Sequence, residues 1–141
     1  MENTRASKII DQMYLNDPFS LWLGIQRMEE YAGYCKLKMI VRKEMLNGFG
    51  IAHGGITFSL ADSALAFASN AYGQQAVSIE CSVNHIKPVQ EGDCLIAEAK
   101  EKSRSKRLGI YEISVTNQLG ILVALFGGMV FIKETEWDLG S

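Results

Sequence analysis

Apolar residues recur along this chain with two different periods, and the change between them sketches the architecture. Residues 5–15 place Ile9, Ile10, Met13 and Tyr14 on one side at helical spacing, which predicts a short amphipathic helix. Asp17-Pro18 reads as an N-cap followed by proline at the first helical position, opening a second short turn through Trp22. From Ile25 the period falls to two. Over 34–41, Cys35, Leu37, Met39 and Val41 share one face, with Lys36 and Lys38 opposite. A glycine-bearing loop over 42–55 then leads into a stretch from Ile56 to Ala71 that is apolar round most of a helical circumference. Such a helix belongs in a core rather than on a surface.

Four strand-like runs follow Gly73. Residues 77–86 put Val77, Ile79, Cys81 and Val83 on one face and Ser78, Glu80, Ser82 and Asn84 on the other. Residues 94–102 and 108–118 flank the charged bend 103–107 and read as a hairpin. Asn117-Gln118-Leu119-Gly120 is a second turn. The last run, 121–132, is almost continuously apolar, as expected of a strand covered on both faces, and its Gly127-Gly128 pair marks a bulge or a close backbone approach. The predicted class is α+β: a curved antiparallel sheet wrapped round one long central helix of ~24 Å, with a short helical segment over 1–24.

Composition narrows the function. At 141 residues and 15.6 kDa the chain reads as one domain over 1–141, long enough to bury a core. Its 48% hydrophobic content and net charge of −2 exclude disorder and a nucleic-acid binder relying on bulk positive charge. No apolar run reaches the ~18 residues of a membrane span, and a signal-peptide core is missing from the N-terminal residues. Cys35, Cys81 and Cys94 are an odd number without paired spacing, which fits thiols in a reducing cytosol; the expected location is cytoplasmic. Two histidines without metal-ligand spacing predict no metal, and nothing calls for a cofactor.

Candidate chemistry concentrates in 53–71. Asp62 is the only ionisable residue of the apolar helix, and a carboxylate there needs partners or a task. His53-Gly54-Gly55 brings a titratable ring and two residues without a Cβ to the helix N-terminus, where free N–H groups bind an anion or polarise a carbonyl oxygen. A carboxylate and an oxyanion-type site in one segment suggest acyl chemistry.

Asn47, the His53-Gly54-Gly55 triplet and Phe58-Ser59-Leu60-Ala61-Asp62-Ser63-Ala64 together resemble the hotdog-fold acyl-CoA thioesterases of the phenylacetyl-CoA (PaaI) type. The similarity extends to Met45-Leu46-Asn47-Gly48, Lys87-Pro88, Gly92-Asp93 and the closing Val123-Ala124-Leu125-Phe126-Gly127, covering about residues 10–133. The resemblance implies a hotdog fold and a homodimer joined edge to edge, commonly doubled to a homotetramer, with thioesters bound at the dimer interface. It implies that the Gly54 N–H polarises the thioester carbonyl and that Asp62 is general base or nucleophile. It further implies that Asn47 holds the reacting groups or the water and that Ser78 supports them. His53 is assigned a positioning role, entering the helix and donating to a carbonyl; His85 reads as structural.

A distance argument supports a shared site independently of the resemblance. Gly54 and Asp62 lie eight residues apart, or ~12 Å along a helix axis. Groups acting on one carbonyl must converge to a few ångströms. Two antiparallel helices related by a two-fold axis bring them together; one helix does not.

The segment 100–107 carries five positive charges and one negative. It reads as a solvated turn or as a seat for CoA phosphates, with Arg104, Lys106 and Arg107, together with Pro88, as CoA-binding candidates. Among the expected substrates, phenylacetyl-CoA (as in phenylacetic acid degradation), other aryl-acyl-CoA and medium-chain acyl-CoA fit equally. Two rivals are a hotdog enoyl-CoA hydratase, whose histidine and acid stand in a different order, and a non-catalytic acyl-CoA sensor. Sensors of that kind are usually fused to a DNA-binding helix-turn-helix, for which the ~24 residues before the first strand are too short.

Overall fold

A computed structural model describes residues 4–140. Six antiparallel strands form one sheet in the order β1-β2-β4-β5-β6-β3, packed against a central helix that touches every strand. The strands are β1 (Gln26–Tyr31), β2 (Tyr34–Ile40), β3 (Gln74–His85), β4 (Cys94–Arg104), β5 (Leu108–Thr116) and β6 (Leu122–Glu136). The helices are α1 (Arg5–Leu15), α2 (Pro18–Leu23) and the central α3 (Gly54–Asn70). The predicted α+β class and element order hold.

Local chemistry accounts for the boundaries. The Thr4 side chain accepts from the Ser7 N–H and caps α1. Asp17 accepts from Ser20 N–H with Pro18 in the first helical position of α2, and Gly24 ends that helix at φ +73°, a conformation favouring glycine. The inward face of β2 is the one predicted, with Cys35, Leu37, Met39 and Val41 all buried. In α3, Ile56, Leu60, Ala61, Ala64, Leu65, Phe67 and Ala68 are buried against the sheet. Phe58, Ser59, Asp62, Ser63 and Ala66 are only partly covered. Spaced three and four apart, they form a stripe down the helix that the chain's own fold leaves open.

Three strand readings need correction. The alternation predicted for β3 fails because the register slips between Ser78 and Glu80. Ser78 pairs opposite buried Val130 and so faces α3, whereas Val77 and Ile79 are 46% and 54% exposed. Cys81 and Val83 keep their inward positions against the core. In β6 the apolar run is not covered on both faces: burial alternates, and Phe131 is 39% exposed on the outer one. The charged bend is also shorter than predicted, since β4 continues to Arg104.

The Gly127-Gly128 expectation resolves at Gly128. A Cβ there would stand 2.6 Å from Leu65 Cδ2 and 3.2 Å from Phe126 Cε1, so α3 rests directly on the β6 backbone. Leu65 is 1% exposed, so making room means displacing its side chain from a packed position. Gly128→Ala should therefore destabilise the protein by about 1–3 kcal/mol through overpacking. Gly127→Ala, whose Cβ meets only Ser82 Oγ at 3.8 Å, should leave the thermal midpoint almost unchanged. Parallel melts of the two variants check this; equal midpoints would show that the helix shifts to make room.

Candidate active site

At the N-terminus of α3 the chain arranges a set of donors around one open cleft. The Asn47 Oδ1 accepts from the Phe49 N–H at 2.9 Å and the Ile51 N–H at 3.4 Å. Those two donors fix the orientation of the amide and leave its NH2 without a partner among the described residues. The loop is closed by His53 N–H to Met45 O and Ala52 N–H to Val89 O, both 2.8 Å.

His53 is the helix cap: the Gly55 N–H gives its hydrogen bond to Nδ1 at 2.9 Å. Its carbonyl takes the Ile56 N–H at 2.8 Å. Of the first three helical N–H groups, only that of Gly54 remains without a partner among the described residues. One unpaired donor at the positive end of a 17-residue helix has the chemistry to seat a carbonyl oxygen that gains negative charge.

His85 closes this seat from β3. Its Nε2 lies 3.0 Å from where a Cβ on Gly54 would stand. Thr57 Oγ1 donates to Gly54 O at 3.1 Å, so at 3.3 Å from His85 Nδ1 it accepts, which leaves Nε2 unprotonated in the neutral ring. Asn47, Gly54, Thr57, His85 and Pro88 line one cleft of about 350 Å³. The sequence reading missed Thr57 and treated His85 as structural. The signal for His85 was present, since it shares strand parity with Cys81 and Val83.

Asp62 lies in a different cavity, of about 400 Å³, together with Ser78. Its carboxylate has no hydrogen-bond partner among the described residues, and burial, then the charge of Asp17, push its pKa above the ordinary aspartate value. The Cys81 thiol nearby is raised by burial and by Asp62, and drawn back by Ser78. The β3 bulge is thus what turns Ser78 toward this carboxylate.

The predicted residues therefore fall into three groups. Asn47, Gly54 and Pro88 meet at the start of α3, capped by His53. Asp62 and Ser78 meet about two turns further along. The basic turn lies beyond the other end of the helix, where the Arg104 guanidinium stacks 3.6 Å over the Tyr72 ring and donates to Gln74 at 3.1 Å. Arg107 is paired with Glu134 at 2.5 Å, while Lys106 has no side-chain partner among the described residues. Pro88 and the basic turn thus stand at opposite ends of α3. Among the described residues no helix is long and apolar enough to cross a membrane.

Comparison with known proteins gives a consistent answer. Residues 49–124 match the family model of the thioesterase superfamily. The chain is 40% identical over 116 residues to the acyl-coenzyme A thioesterase PaaI of Escherichia coli, covering 82% of this chain and 83% of that protein. The solved structure of E. coli PaaI, from the phenylacetic acid degradation operon, superposes with a TM-score of 0.91 at 36% identity, over 94% of this chain and 96% of that one. A Streptococcus mutans UA159 protein bound to acetyl CoA superposes with a TM-score of 0.78 at 26% identity, over 80% of this chain and 91% of that one.

Proposed function

This chain belongs to the thioesterase superfamily, and on that premise we propose that it hydrolyses aryl-acyl or medium-chain acyl-CoA at sites shared between two copies of itself. The observation that carries this reading is the separation on one helix of the unpaired Gly54 N–H from the unpartnered Asp62 carboxylate, each opening into its own cavity. Neither half-site is sufficient for acyl transfer. Among the described residues, strand β3, which carries Ser78 and His85, has a free edge, since β6 is its one neighbour in the sheet.

Pairing two β3 edges antiparallel across a two-fold axis brings each Gly54 toward Asp62 of the partner subunit. The same axis carries each basic turn to the end of α3 where the other copy holds Pro88. Arg104, Lys106 and Arg107 of one copy then reach the CoA phosphates of a thioester seated in the other.

In this reading the thioester oxygen accepts from the Gly54 N–H, with the Asn47 NH2 as a second donor. Asp62 of the partner subunit removes a proton from a water, or attacks the carbonyl carbon itself to give a mixed anhydride that water then opens. The C–S bond breaks, its electron pair stays on sulfur, and the CoA thiolate takes up the released proton. A thiolate leaves readily, so the absence of a second carboxylate is no obstacle. Ser78 helps to orient the carboxylate.

Release of free thiol from a panel of aryl- and fatty-acyl-CoA thioesters tests the activity. Binding of CoA with no turnover of any thioester would favour the sensor reading. The shared site has its own test in hybrid dimers of Asp62→Asn with Gly54→Pro. Each hybrid regains one site with both groups intact, so its activity should return to about half the native value from two inactive parents. Hybrids as inactive as the parents would place both groups in one subunit's site.

A further inference from the structure

The cavity holding Asp62 continues along α3 away from the carboxylate. Asp62, Leu65, Ala66 and Asn70 line it at helical spacing and so mark out a path of ~12 Å along the axis. Val130 of β6 and Trp137 also line it. The indole N–H donates to Asn70 Oδ1 at 2.8 Å, and the Trp137 backbone N–H donates to Gly73 O at 2.8 Å. Asn70 is itself an anchor. It is buried at 2% exposure, its NH2 donates to Ala66 O and Ala76 O at 2.8 and 3.0 Å, and its Oδ1 also accepts from the Ala76 N–H at 2.9 Å. The ring is therefore docked on the rigid end of α3 and not carried by a loose tail.

We infer that this cavity takes the acyl group and that Trp137 is its end wall, setting the longest acyl chain accepted; the inference rests on the thioesterase reading. A carbonyl held at the Asp62 end directs its acyl substituent along Leu65, Ala66 and Val130 until it meets the indole. The space of about 400 Å³ is of small-ligand size. A ring or a medium-length chain fits a space of this size, and a long fatty chain exceeds it. Trp137 acts here through shape alone and takes no part in the chemistry.

Thiol release along an acyl series from acetyl- to palmitoyl-CoA reads the wall directly. Native protein should show kcat/KM rising and then falling with chain length. Trp137→Ala should move the optimum to longer chains and raise kcat/KM on them by about tenfold or more. Trp137→Phe, which keeps a ring but loses the bond to Asn70, should retain the native limit. An unchanged optimum in a Trp137→Ala protein that melts as a folded one overturns the inference. A second readout is independent of turnover. In a Trp22→Phe, Asp62→Asn background, Trp137 is the only tryptophan. Its emission should shift with octanoyl-CoA and not with CoA alone. The same emission with both ligands overturns the pocket assignment. A native protein that releases no thiol yet shows the octanoyl-specific shift would overturn the hydrolase reading and keep the pocket.

Discussion

Asp62→Asn should lower thiol release from acyl-CoA by about 10²–10⁴-fold if the carboxylate is a general base, with the fold retained. A larger loss, together with isotope from labelled water appearing in the Asp62 carboxyl group of native protein during a single turnover, would mark it as the nucleophile. The same variant should be more stable than the native protein at neutral pH. Burial and Asp17 raise the pKa of Asp62 in the folded state, so folding favours its protonated form. What Asp62 contributes is fully present below the ordinary aspartate range and is lost as pH rises through the raised folded value. The asparagine variant has no such loss, so its advantage in Tm should be greatest near neutral pH and vanish toward about pH 4 and below. A variant that is both inactive and less stable at neutral pH would mean that Asp62 is a structural group whose partner lies across the interface.

Gly54→Pro should reduce kcat by about 10²–10³-fold relative to Gly54→Ala, the cost of one oxyanion donor. The backbone is ready for proline. Gly54 occupies the first helical position, where proline is tolerated, and His53 at φ −59° and ψ 138° already has the conformation that a following proline requires. Both variants place a Cβ 3.0 Å from His85 Nε2, so the steric effect on that ring is common to the two. What differs is the N–H, which the proline ring replaces with a carbon that also fills the seat. Equal kinetics for proline and alanine would mean that the carbonyl oxygen is held elsewhere, with the Asn47 amide the remaining donor in the cleft.

Much of this was legible in the chain because the signals were local. The period of three to four over 56–71 and the period of two over 34–41 each reflect burial of one continuous face, and the cap at Asp17 is written in a single residue. Asn47, Gly54 and Asp62 were legible through their order and spacing. The β3 bulge was not, because it depends on how Ser78–Glu80 pairs with a strand more than forty residues away. The apolar run of β6 was read as doubly covered because composition does not say whether a second layer exists. His85 was passed over although its parity pointed inward, since a lone histidine gains meaning only beside the Gly54 it faces. The basic turn posed the converse problem: its charge was plain, but which end of α3 it joins is set by the packing of the β4–β5 hairpin.

Strand β3 follows the central helix in the sequence, yet its one neighbour in the sheet is β6, the last strand made. A chain growing on a ribosome has α3 and β3 in hand long before anything exists for β3 to pair with. Closing that gap is a long-range step whose entropic cost precedes its reward. Until it happens, a twelve-residue strand exposes both edges, an invitation to aggregate. Ser78 and His85 then have no fixed place, and neither of the cavities they line is formed. Catalytic competence is thus among the last properties this polypeptide acquires, and holding the nascent intermediate apart from its neighbours is the step at which a chaperone would matter most.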